Sequence, residues 1–133
     1  RGLQLLFRRL NELYRQYPQL FELDNDPAGF QWINADDAGG NVFSFVRYDS
    51  QRRPLVAVVN FSPVPRPDYR IGLPHDGAWR ELLNSDASDF DGTGSWHNDG
   101  WVHATDVPSH GLPASADIVI PPLGAVWLVP VED

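Results

Sequence analysis

The chain has no cysteine and no methionine in 133 residues. The first absence excludes disulfides and thiolate metal sites and fits a reducing compartment, the cytoplasm. The second, with a start at Arg1-Gly2-Leu3 inside a helical pattern, leads to the expectation of a segment of a larger protein. Positive charge is scarce. Ten basic against 18 acidic residues give a net charge of −8, and the basic residues are scattered, which argues against nucleic acid and against an anionic membrane surface. No apolar run approaches the roughly 20 residues of a membrane span, and the start lacks a signal peptide's apolar core. Motifs of chemistry are missing as well: there is no G-x-S-x-G, and Gly92-Thr93-Gly94 lacks the lysine and following helix of a phosphate loop.

What is present divides at one stretch, Asp24-Asn25-Asp26-Pro27-Ala28-Gly29-Phe30-Gln31-Trp32-Ile33. Before it, Leu3, Leu6, Leu10, Leu13 and Tyr17 recur at helical steps, flanked by Phe7 and Tyr14, with Arg8, Arg9, Glu12, Arg15 and Gln16 opposite. This is an amphipathic helix that Pro18 ends near Tyr17, and a helix so short needs something to pack on.

After it the period becomes two. Phe30, Trp32 and Asn34 are assigned one face of a first strand, and Asp36 to Asn41 a polar turn. Val42 to Tyr48 is a second strand with Phe43 and Phe45 on one side. Leu55 to Phe61 has no polar residue before Asn60, so it reads as the central strand, buried on both faces. Ser62 to Pro67 is read as unable to ladder, with pairing resuming at Tyr69 to Leu73. Trp79 to Asn84 follows, then a polar stretch from Ser85 to about Gly100, too long for a hairpin loop and of a kind that is often functional. Ile118-Val119-Ile120 and Ala125 to Val129 are expected to close the fold as a hairpin around Pro121-Pro122. Seven or eight short strands with no helix between them make the class mainly all-β, a Greek-key-like antiparallel β-sandwich preceded by one helix.

Candidate sites are few. His97, His103 and His110 lack paired spacing and read as solvent-exposed, so no metal ligand is assigned. Asp89-Phe90-Asp91-Gly92 opens like a calcium loop but has Gly100 where a bidentate glutamate is needed. The pairs Asp24/Asp26 and Asp36/Asp37 read as ordinary loop acids, so no catalytic residue is assigned either. Asn60-Phe61-Ser62 matches a glycosylation sequon at the end of a buried strand and is taken as coincidence. No cofactor is implied. The five tryptophans carry more information, because aromatic faces stack on the apolar faces of sugar rings. Trp79, Trp127 and Trp101 are assigned to the core, while Trp32 and Trp96 are the candidate glucan contacts.

Leu10-Asn11-Glu12-Leu13-Tyr14 through Asp24, Gly29 to Ile33, Asn60 to Pro65, Tyr69 to Gly72, Trp79 to Asp86 and Pro121-Pro122-Leu123 stand in an order that resembles the C-terminal portion of bacterial glycogen (1,4-alpha-glucan) branching enzymes, members of the alpha-amylase superfamily. The resemblance spans nearly the whole chain and departs from the family's pattern around Ser95 to Trp101. It implies that residues 1–26 are the last helix of a (β/α)8 catalytic barrel and its exit, and residues 27–133 a C-terminal β-sandwich domain. It also implies the barrel of the same parent chain and α-glucan (glycogen, maltooligosaccharide) as partners. The apolar stripe of the helix is then expected to have no partner within the chain. A carbohydrate-binding module and a purely structural domain are the alternatives.

Overall fold

The leucine spacing does form a helix, α1 (Gly2–Gln16), ending one residue before Tyr17-Pro18. The structure, a computed structural model, describes residues 2–23, 26–34, 41–87, 90 and 92–131. Asp24, Asp36, Asp37, Asp89 and Asp91, and with them the carboxylate pairs and the calcium-like loop considered above, lie outside the described residues. A 3-10 turn, Pro18–Leu20, leads out of α1. A second, Pro27–Gly29, is capped by Asp26, whose Oδ1 accepts from the Ala28 N–H at 2.9 Å.

Eight strands follow: β1 (Phe30–Asn34), β2 (Val42–Tyr48), β3 (Pro54–Asn60), β4 (Arg66–Leu73), β5 (Gly77–Asn84), β6 (Trp101–Ala104), β7 (Ala114–Ile120) and β8 (Gly124–Pro130). They make an antiparallel six-stranded sheet in the order β1-β2-β3-β8-β5-β6 and a two-stranded sheet, β4-β7. The core lies between the sheets. Val42, Val46, Val56, Val58, Trp79, Val126 and Leu128 of the large sheet pack with Ile71, Leu73, Ala116, Ile118 and Ile120 of the small one. β3 is central and buried almost throughout, as an apolar run without alternation requires.

The other face of β3 is covered by α1 at its Leu55 end. Leu13 is completely buried in a second cluster with Leu55, Leu82, Leu83 and Val129, against which Leu6, Leu10, Tyr17 and Trp127 also pack. The helix stripe therefore has its partner inside the chain, contrary to expectation. The unbroken apolar run of β3 shows why: both of its faces are apolar, so the large sheet offers a second surface to bury.

Four further expectations are corrected. β7 and β8 are not a hairpin. Ile120 ends in the small sheet and Gly124 begins in the large one, so the Pro121-Pro122 turn carries the chain across the sandwich, where β7 pairs with β4 and β8 with β3 and β5. Asn34 does not share a face with Trp32. A register shift after Trp32 turns Asn34 inward, where its Nδ2 donates to the Tyr69 hydroxyl at 3.0 Å. Pairing of β4 begins already at Arg66, opposite Ile120, with Pro67 tolerated where the ladder slips. The Ser85 to Gly100 stretch is the connection of an antiparallel pair after all, since β5 and β6 are hydrogen-bonded neighbours.

Candidate functional site

The outer face of the large sheet is divided between two surfaces. Under α1 lie Leu55, Trp127 and Val129; toward the β1 edge the same face is bare and aromatic. Cα partners Trp32 and Phe45 stand across β1 and β2, and Phe30 stands beside them. Ring centroids are 5.2 Å apart for Phe30 and Phe45 (stacked), 5.3 Å for Phe30 and Trp32 and 5.9 Å for Trp32 and Phe45 (both edge-on). Trp32 is 53% exposed. Alternation of strand residues puts the three on one face, and the short, paired-on-one-side edge leaves them uncovered.

The patch continues along β2. Phe43 meets Phe61 edge-on at 5.6 Å, and Phe61 and Leu123 rim a shallow, mainly apolar hollow floored by Val59 and Ala125. On the helix, Phe7 and Tyr14 are exposed at the flank of the buried stripe, and Tyr14 leans on Phe21 at 5.6 Å. Arg47, the Cα partner of Phe30, turns its Nε to the Gln19 carbonyl at 3.2 Å. Such a surface is suited to burial against another apolar surface.

Trp96 lies elsewhere. It is half-buried in the connection between β5 and β6, the two strands at the opposite side of the large sheet from β1. That connection is held by its own residues. The Asp86 carboxylate accepts from the Thr93 N–H (3.0 Å), the Thr93 hydroxyl (2.6 Å) and the Trp96 N–H (3.3 Å). Burial acts to raise the Asp86 pKa, but these hydrogen bonds outweigh it and hold the carboxyl below its ordinary value. Asn84 Nδ2 donates to the Trp96 carbonyl at 2.8 Å, and Asn98 joins Glu81 to the Val119 backbone. The two candidate tryptophans are not brought together.

Trp101, assigned to the core, is 59% exposed, whereas Trp79 is completely buried. The β6 pattern explains it: Val102 and Ala104 point inward, so Trp101 and His103 must point out. Trp101 lines a cleft of about 430 Å³ with Tyr17, Arg80, Gln16 and Arg53, at the end of α1. Arg80 Nη2 donates to the Tyr17 hydroxyl at 2.6 Å. The alternation of Trp101 to Ala104 was the signal that could have marked this residue.

The histidines are exposed; His110 Nδ1 accepts from the Gly72 N–H at 3.1 Å. Among the described residues no cluster of three metal-ligating side chains occurs, and no helix is long and apolar enough to cross a membrane. Asn60 is buried, donating to the carbonyls of Val64 and Pro121 and accepting from the Ser62 N–H, so its amide is committed to the fold.

Residues 32–131 match the family described as alpha amylase, C-terminal all-beta domain. The chain is 48% identical over 128 residues to the 1,4-alpha-glucan branching enzyme of Cutibacterium acnes, covering 96% of this chain and 20% of that protein. It is 50% identical over 129 residues to the enzyme of the same name from Mycobacterium tuberculosis, covering 97% of this chain and 18% of that one. With the one from Burkholderia vietnamiensis it shares 50% over 130 residues, covering 98% and 18%. The chain thus spans about a fifth of the length of these curated relatives. Among solved structures, the alpha-amylase from H. orenii superposes on 94% of this chain and 20% of that one, with a TM-score of 0.53 and 21% identity, a likeness of fold.

Proposed function

Because the chain belongs to the family of alpha-amylase C-terminal all-beta domains, we propose that it is the C-terminal accessory domain of a 1,4-alpha-glucan branching enzyme acting in the cytoplasm. The parent enzyme moves α-1,4-glucan chains onto 6-hydroxyls, a transfer that retaining enzymes run with a carboxylate nucleophile and a carboxylic acid. Those groups belong to the catalytic barrel.

The observation that carries the reading is identity near one half along almost the whole chain, helix included, with proteins named as branching enzymes. In this reading residues 1–26 are the last barrel helix and its exit, and residues 27–133 the accessory domain. α1 is then shared: its leucines bind the sandwich, and Phe7 and Tyr14 face the rest of the barrel. The bare half of the sheet, centred on Trp32, docks there as well and stabilises the barrel. Its apolar neighbours favour docking over a sugar contact at Trp32. Incubating the chain with amylose and measuring α-1,6 branch formation is the test. No branching is expected, and any turnover by the chain alone would overturn an accessory role.

A further inference from the structure

Three tryptophans lie outside the core between the sheets with exposed or loop-borne rings, Trp32, Trp96 and Trp101, and they differ in their neighbours. Trp32 stands among phenylalanines, and Trp96 sits in a connection where the Asp86, Thr93 and Asn84 side chains bond to one another or to its own backbone. Trp101 stands in a cleft beside an arginine and a glutamine. Its Cα partner across β5 and β6 is Arg80, whose guanidinium holds the Tyr17 hydroxyl at 2.6 Å and has no carboxylate within ion-pair distance among the described residues. Gln16 and Arg53 line the same cleft.

We propose that this cleft is an α-glucan subsite, with Trp101 as the stacking platform and Arg80 as the hydroxyl donor; the proposal rests on the reading of the chain as part of a glucan-processing enzyme. A glucose ring presents axial C–H groups on its faces and hydroxyls around its rim. The C–H face matches the negative face of an indole, and the planar guanidinium fork spans adjacent hydroxyls. Both requirements meet within one cleft whose volume, about 430 Å³, is that of a small-molecule site. Arg53 is paired with the buried Asp49 carboxylate, and the uncharged Gln16, Tyr17 and Gln19 share the lining, so hydroxyl-bonding groups rather than a cluster of free charges face the guest. Arg80 is kept in place by Tyr17, so the donor is oriented before the sugar arrives, which lowers the entropy cost of binding.

Titration of the 133-residue chain with maltoheptaose, followed by calorimetry and tryptophan emission, tests the subsite. Near-ultraviolet circular dichroism checks the fold of each variant, and the exposure of Trp101 makes its loss tolerable. Saturable binding is expected, weakened at least about tenfold in Trp101→Ala and in Arg80→Gln, retained in Trp101→Phe and unchanged in Trp32→Ala. Absence of binding at millimolar maltoheptaose, loss only in Trp32→Ala, or binding of inorganic phosphate in place of the saccharide would each overturn it. The accessory-domain reading would survive all three, because it rests on sequence identity along the chain and not on the cleft.

Discussion

Arg53 Nε donates to Asp49 Oδ2 at 2.6 Å, and that carboxylate has no exposed surface. Asp49 Oδ1 also accepts from the N–H groups of Gln51 and Arg53, so one acid fixes the whole β2–β3 turn. The turn in turn holds the exit from the helix. Glu22 Oε1 accepts from the Ser50 N–H at 2.7 Å, and Arg52 Nη1 donates to the Ala28 carbonyl at 2.8 Å. Burial pushes the Asp49 carboxyl up, but the hydrogen bonds from Arg53 and Gln51 and the Arg53 charge win, and its pKa lies below the ordinary value.

An acid whose pKa is lowered by folding stabilises the native state fully above its unfolded value, near 3.9, and the contribution disappears as pH falls through the folded value. Asp86 behaves in the same way. The urea midpoint is therefore expected to be flat from pH 7 to about 5 and to fall below about 4. In Asp49→Asn the midpoint at pH 7 drops, reflecting about 2 kcal/mol of stability lost with the charge-assisted bonds, and the acid slope becomes shallower. An unchanged slope in the variant would remove Asp49 from this role.

Leu13→Ala is expected to cost this chain about 2–4 kcal/mol, because Leu13 is completely buried between α1 and the sheet. Phe7→Ser, one turn and a half earlier on the exposed flank, should change stability by less than about 0.5 kcal/mol in the same chain. Chemical denaturation of the two variants distinguishes a helix packed on the sandwich from one attached only by its tether, for which both would be neutral.

Asp86→Ala removes the acceptor of three hydrogen bonds in the β5–β6 connection. A loss of about 2 kcal/mol is expected, with red-shifted emission from Trp96 as its loop loosens. Emission unchanged in a Trp96-only background would mean that the connection is held by other contacts.

The helix, the central strand and the sandwich class were legible because they rest on local period: leucines three and four apart, and an unbroken apolar run over Leu55 to Val59. What covers an apolar stripe is a different matter. Leu13 meets Leu55 and Val129 from strands distant in sequence, and no pattern within the helix names them. β8 likewise looks like the second arm of a hairpin with β7, yet it inserts between β3 and β5, pairing Val126 with Val58 and Asn84. The bulge after Trp32 that turns Asn34 inward leaves no mark in residue type either. Trp101 is the converse case. Its alternation with Val102 is readable, but a tryptophan among apolar residues reads as core on composition alone.

The most direct measurement is hydroxyl-radical footprinting of Trp32 and Phe61 in this chain alone and in a branching enzyme carrying it. Both side chains are exposed here, at 53% and 63%. If the bare aromatic half of the large sheet is the docking face for the barrel, both are oxidised severalfold more slowly in the full enzyme. Equal oxidation rates in the two contexts would contradict it.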